Sequence, residues 1–124
     1  MGIYLNPGNE KFRQAVNSEI YVDKTGLIQY TNKVLGTLQQ YLCISRPRRF
    51  GKSVAANMLT AYYSKGCESK ELFHGLKISE DDNFEQHLNR YDVIFLNMQE
   101  FLSRFASKHA GYLSGNKVSF CYHN

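Results

Sequence analysis

Apolar positions along the chain recur with two different periods. In "EKFRQAVN", Phe12, Ala15 and Val16 fall at helical spacing and predict a short helix. "EIYV", residues 19–22, reads as a strand. "DKTGLIQYTNKVL" offers Thr25 as an N-cap, with Leu27, Ile28 and Thr31 on one helical side and Gly36 as the stop. "LQQYLCIS", residues 38–45, ends in an apolar run, which predicts a buried parallel strand. "KSVAANMLTAYYSKG" carries the clearest helical pattern. Val54, Met58 and Tyr62 run beside Ala55, Leu59 and Tyr63 as one apolar stripe, and Gly66 can supply a left-handed cap.

The second half is less regular. "SKELFHGLKIS" is short and mixed. "SEDDNFEQHLNRY" predicts a helix that starts near Ser79, with acidic residues in its favourable first turn. "YDVIFLNMQ" holds four consecutive apolar residues from Val93 to Leu96 and reads as a second buried strand. "QEFLSRFAS" predicts a helix start. No acidic residue follows Glu100, and "KHAGYLSGNKVSFCYHN" has no clear period. It reads as a frayed end, a weak strand pair or sequence from an altered frame.

Charge changes this picture at one place. The 124 residues carry 15 basic and 11 acidic side chains, a net charge of +4. Arg46, Arg48, Arg49 and Lys52 lie in one stretch, and the remaining 11 basic residues balance the 11 acidic ones. A concentrated patch suits a compact anion such as a triphosphate, whereas a nucleic-acid binder more often carries a wider stripe. Three separated cysteines, Cys43, Cys67 and Cys121, form no C-x-x-C pair and point to reduced thiols in a cytoplasmic protein. The N-terminus has no apolar signal core, and no apolar run approaches the roughly 20 residues of a membrane span. His74, His87, His109 and His123 lack metal-ligand spacing. The Glu80–Asp82 cluster reads as a solvated helix start.

The patch is "SRPRRFGKS", residues 45–53. Gly51-Lys52-Ser53 is the ending of a phosphate-binding loop, placed between an apolar run and an amphipathic helix as such a loop requires. The first N–H groups of that helix have no intrahelical partner, and the helix dipole adds positive character there. Gly51 permits a tight turn, Lys52 offers a point charge to the β- and γ-phosphates, and Ser53 offers a hydroxyl to Mg²⁺. Arg46 stands where the general pattern has glycine, and Pro47 removes one donor.

With upstream "IYVDKTGLI" and downstream "ELFHGLKI" and "YDVIFLNMQ", the loop resembles the bacterial AAA-ATPase-like family over residues 1–103. In that family S-R-P-R-R-F-G-K-S is the usual Walker A form, so Arg46 is a family trait. The resemblance implies an α/β fold: a truncated P-loop NTPase core of the RecA/AAA type, with a few parallel strands flanked by helices. It implies ATP and Mg²⁺ held by Arg46, Pro47, Arg48, Arg49, Phe50, Gly51, Lys52, Ser53 and Val54, with Ser53 on the metal. Lys52 is the one catalytic candidate. The chemical role of the matching block Tyr21-Val22-Asp23-Lys24-Thr25 does not follow from the resemblance; strand-end and helix-cap duty for Asp23 or Thr25 stands beside nucleotide contact.

Hydrolysis usually also needs an apolar strand ending in an acid, the Walker B element. The family places it beyond the second strand, and the best internal candidate ends in the neutral Asn97. The expectation is therefore an N-terminal fragment, residues 1–103, with a divergent tail over 104–124 and little or no hydrolysis by itself. Whether the chain is an enzyme stays open. Nucleotide is the expected partner, with nucleic acid reached through the nuclease-like region of full-length relatives. The alternative is a non-catalytic basic module that binds nucleic acid or an acidic protein through the same arginines.

Overall fold

The strongest apolar stripe in the sequence becomes the centre of the molecule. The computed structural model describes residues 4–45, 51–106 and 118–123, with residues 105, 106 and 118–123 described by backbone alone. Its elements, in chain order, are α1 (Glu10–Val16), α2 (Gly26–Val34), α3 (Lys52–Tyr63), β1 (Asp92–Asn97), α4 (Met98–Ala106) and β2 (Val118–His123). Short 3-10 turns cover Leu38–Gln40, Lys70–Phe73 and Lys77–Glu80.

Helix α3 buries Met58, Leu59, Tyr62 and Tyr63, as its stripe predicts. Phe12 from α1 stacks on Phe73 at a centroid distance of 4.9 Å, and Tyr62 meets Phe73 edge-on at 5.6 Å. Ile28, Ile78, Phe84 and Val93 complete this core. Aromatic pairs in such geometries contribute about 0.5–1.5 kcal/mol each beyond the area they bury. The two buried tyrosines also need polar partners. The Tyr63 hydroxyl lies 2.6 Å from Thr31 Oγ1 and donates to Asn32 Oδ1 at 2.5 Å. Tyr62 donates to the Phe84 carbonyl at 2.6 Å and accepts from Asn32 Nδ2 at 3.0 Å. Helix α2 is thereby fastened to α3 by hydrogen bonds as well as by packing.

The last carbonyls of α3 are finished by Asn89, 26 residues beyond Tyr63 in the chain. Its Nδ2 donates to the carbonyls of Ala61 and Ser64, both at 2.9 Å, and its backbone N–H donates to the Tyr62 carbonyl at 2.6 Å. Its Oδ1 accepts from the Ser69 N–H at 3.1 Å. Asn89 has φ +53°, a left-handed conformation that asparagine tolerates better than most residues. Satisfying helix-end carbonyls this way is what lets the C-terminus of α3 sit inside the protein.

Several predicted elements do not form. Residues 38–45 begin as a 3-10 turn and continue without helix or strand, and Leu38 and Tyr41 are 93% and 86% exposed. Residues 19–22 form no strand, and Ile20 is 85% exposed. A buried parallel strand needs neighbours that accept from its N–H groups and donate to its C=O groups, and among the described residues neither segment pairs with such a neighbour. The helix expected from Ser79 through Tyr91 is replaced by the Lys77–Glu80 turn and further turns. There the Asp81 carboxylate accepts from the Asn83 N–H at 2.8 Å, a local turn that competes with helix, and Asn89 leaves helical space altogether.

The sheet also departs from the expected parallel strands. β1 forms over the predicted apolar run but is not a buried strand, since Val93 is fully buried while Ile94 is 43% exposed, and its partner is β2, from the stretch that lacks a clear period. The pair is antiparallel, with Phe95 opposite Phe120 and Ile94 opposite Cys121. Parallel contact among the described residues is limited to one bridge, Ser64 with Tyr91. The architecture is thus mixed helix and strand, with a two-stranded antiparallel sheet.

Asn89→Ala is expected to destabilise the protein by about 2–4 kcal/mol, since it strands the carbonyls at the end of α3 and puts alanine at positive φ. Chemical denaturation monitored by far-UV circular dichroism measures this.

Candidate functional site

The phosphate-loop residues divide between the described and undescribed parts of the chain. Arg46, Pro47, Arg48, Arg49 and Phe50 lie outside the described residues. Gly51 is the N-cap of α3, with φ +77° and ψ +23°, and Lys52, Ser53 and Val54 form the helix's first turn. The left-handed conformation is one that glycine adopts without cost, so the sequence chose the residue that lets the chain enter the helix at this angle.

The helix start is electrostatically open. No side chain of the described residues caps it, and its first turn holds no acid. Its hydrogen-bond ladder begins with the Ala55 N–H on the Gly51 carbonyl at 2.9 Å. Ser53 is exposed, and Lys52 and Val54 are half-buried. An open N-terminus with partial positive charge is the ordinary anion site of a helix.

A residue that sequence reasoning could not place arrives here as well. The space that a Cβ on Gly51 would occupy is taken by Lys24 Nζ, with Lys24 Cε 3.5 Å from the same point. Gly51 therefore meets two requirements: a left-handed backbone, and room for an ammonium group pressed against the turn.

Lys24 is held in place by its neighbours. Asp23 Oδ1 accepts from the Thr25 N–H at 2.9 Å and from Thr25 Oγ1 at 2.6 Å. Asp23 Oδ2 accepts from the Lys77 N–H at 2.8 Å. Thr25 is fully buried, and its Oγ1 accepts in turn from the Ile78 N–H at 3.1 Å. The carbonyls of Lys24 and Thr25 accept the first bonds of α2, from Leu27 at 3.0 Å and Ile28 at 2.9 Å. Partial burial pushes the Asp23 carboxyl upward, but the hydrogen bonds from Thr25 and Lys77, aided by the Lys77 charge, hold it below the usual aspartate range. Burial, with the Asp23 charge beside it, raises the Tyr21 phenol to about 12. Thr25 occupies the N-cap position of α2 but makes no side-chain cap bond there; its hydroxyl serves the Asp23 lock instead.

Other candidates resolve into structural roles. Asn97 Oδ1 accepts from the N–H groups of Gln99 at 3.1 Å and Glu100 at 3.3 Å, so it finishes the start of α4. Glu100 pairs with Arg104 at 3.1 Å. The Asp81 carboxylate makes a local turn. Among the described residues, no group of three or more His, Cys, Asp or Glu side chains is placed to hold a metal ion, and no helix is long and apolar enough to cross a membrane.

The donor set suits a phosphate oxyanion: an open helix start, a glycine turn without a Cβ, and a lysine supplied from another segment. The comparisons agree with that chemistry. A family model described as "Predicted AAA-ATPase" matches residues 8–115, and the chain belongs to this AAA-ATPase-like family. Membership supports nucleotide binding. No curated protein and no solved structure matches the chain.

Two outcomes test the geometry. The Asp23 lock contributes fully above the pKa of Asp23 in the unfolded chain and is lost as pH falls through the lower folded-state value. The stability gap between wild type and Asp23→Asn should therefore be open at neutral pH and close in acid, as read from urea midpoints across a pH series. Gly51→Ala should cost about 1–2 kcal/mol through its positive φ alone, measured by thermal unfolding.

Proposed function

We propose that this chain binds ATP as its Mg²⁺ complex through the Walker A loop. In this reading Arg46, Pro47, Arg48, Arg49, Phe50 and Gly51 wrap the phosphates, while Lys52, Ser53 and Val54 present the first turn of α3. The observation that carries it is the Gly51-Lys52-Ser53 ending at the left-handed, carboxylate-free start of a 12-residue helix, in a chain of the AAA-ATPase-like family. Lys52 supplies charge to the β- and γ-phosphates. The Ser53 hydroxyl is the protein's ligand to Mg²⁺, which keeps water and phosphate oxygens for its other positions. A P-loop core of the RecA/AAA type is the fold this function implies.

Bound Mg²⁺ would neutralise developing phosphate charge, but catalysis also needs a carboxylate at a strand end and a group that orients water. Asn97 ends β1 without charge and is engaged with α4. The chain is therefore expected to bind ATP and to turn it over slowly or not at all.

The concentration of Arg46, Arg48 and Arg49 beside Lys52 favours one second reading, a basic module for nucleic acid or an acidic protein. Calorimetric titration separates the two. Under the nucleotide reading, Lys52→Ala weakens ATP·Mg²⁺ binding about 100-fold and Arg48→Ala does so less. Under the other, the arginines matter as much as Lys52, and affinity for a DNA duplex falls steeply with salt. Robust Mg²⁺-dependent phosphate release by the purified chain would overturn the claim of slow turnover.

A further inference from the structure

We propose that Lys24 is a second phosphate-contacting cation of this site, carried to the loop by the segment ahead of α2. The inference rests on the nucleotide reading above and adds to it a residue outside the Walker A loop.

Three observations converge. The first is position: the Lys24 ammonium fills the volume that any side chain at residue 51 would need, against the glycine that directly precedes Lys52. A lysine stem is long and its rotamer entropy large, so an ammonium already held beside this turn has less freedom left to lose when it meets a ligand. The second is anchorage. Asp23 and Thr25, the residues on either side, are tied to the Lys77–Glu80 turn by bonds at 2.8 Å and 3.1 Å. The lysine is thus launched from a fixed backbone, which reduces what is lost when it settles on a ligand. The third is company. Lys52 follows Gly51, the α3 dipole adds positive character, and the first turn contains no carboxylate to offset either. A polyanion that reaches both lysines gains charge-assisted hydrogen bonds from each.

The ligand chemistry this arrangement suits is a condensed phosphate chain, longer than a monophosphate, because the charges come from two separate segments. Lys24 and Lys52 would then share the phosphates of one nucleotide, and affinity would depend on the number of phosphates.

The test compares wild type with Lys24→Met, which keeps the stem, and Lys24→Arg, which keeps the charge. ATP·Mg²⁺, AMP and magnesium tripolyphosphate are titrated by calorimetry, and unfolding of each ligand-free protein is measured alongside. The expected result is that Lys24→Met weakens ATP·Mg²⁺ and tripolyphosphate about tenfold and AMP less. Lys24→Arg should recover most of the loss, and the ligand-free melting temperature should stay near wild type. If Lys24→Met fails to fold, Lys24→Gln takes its place with the same expectations. Wild-type affinity in the neutral variant, or an equal loss for AMP and ATP·Mg²⁺, would overturn the inference and leave the Walker A reading intact. A wild-type chain that binds neither ATP·Mg²⁺ nor tripolyphosphate would overturn both.

Discussion

Everything in this structure leans on the unequal finishing of the two ends of α3. A helix leaves N–H groups unsatisfied at its start and carbonyls at its finish, and a buried end must find partners for them. At the finish, Asn89 folds back in a left-handed conformation and takes up the loose carbonyls, so the helix can bury Tyr62 and Tyr63 in the aromatic core. At the start, glycine replaces the usual capping side chain, and no side chain of the described residues caps those donors. One end is finished by the fold itself and the other is left to the loop that precedes it, and the core behind the helix holds both ends in place.

The Asp23 lock extends the same logic to a second segment. A single carboxylate takes three hydrogen bonds, from Thr25 twice and from Lys77 once. Those bonds fix the entry to α2 and the turn that delivers Ile78 to the core. Lys24 lies between the two locked residues, so the backbone from which its side chain starts is fixed by packing that is formed elsewhere. Local stability and the composition of the site are therefore coupled in one five-residue stretch.

Much of this was legible in the sequence, and the limits have physical causes. The period of 3.6 in residues 52–63 announced α3 because the helix buries one continuous face, and the apolar block at 93–96 announced β1, although only Val93 of it is fully buried. Gly51-Lys52-Ser53 marked where that helix begins, because a left-handed glycine entry is a local feature. The run at 38–45 misled, since a strand depends on neighbours that a periodicity cannot reveal. Residues 79–91 misled differently: Asp81 and Asn89 use their side chains on the backbone, and two such residues outweigh a favourable acidic first turn. The meeting of Lys24 with Gly51 carried no local signal at all. It is a contact across the fold, and the Tyr21–Thr25 block stood out in the sequence only through its resemblance to the family.

β1 has a neighbour on each side. β2 takes one edge, and on the other the lead-in pairs Leu5 with Ile94, while Asn6 donates to the Val93 carbonyl at 2.7 Å and Phe95 donates to the Tyr4 carbonyl at 2.9 Å. Asn6 also accepts from the Val93 N–H through its side chain at 2.8 Å. The strand is thus closed to recruitment: any foreign peptide seeking to extend this sheet through β1 must first evict one of its two flanking segments, which shields the apolar run Val93–Leu96 from edge-to-edge association.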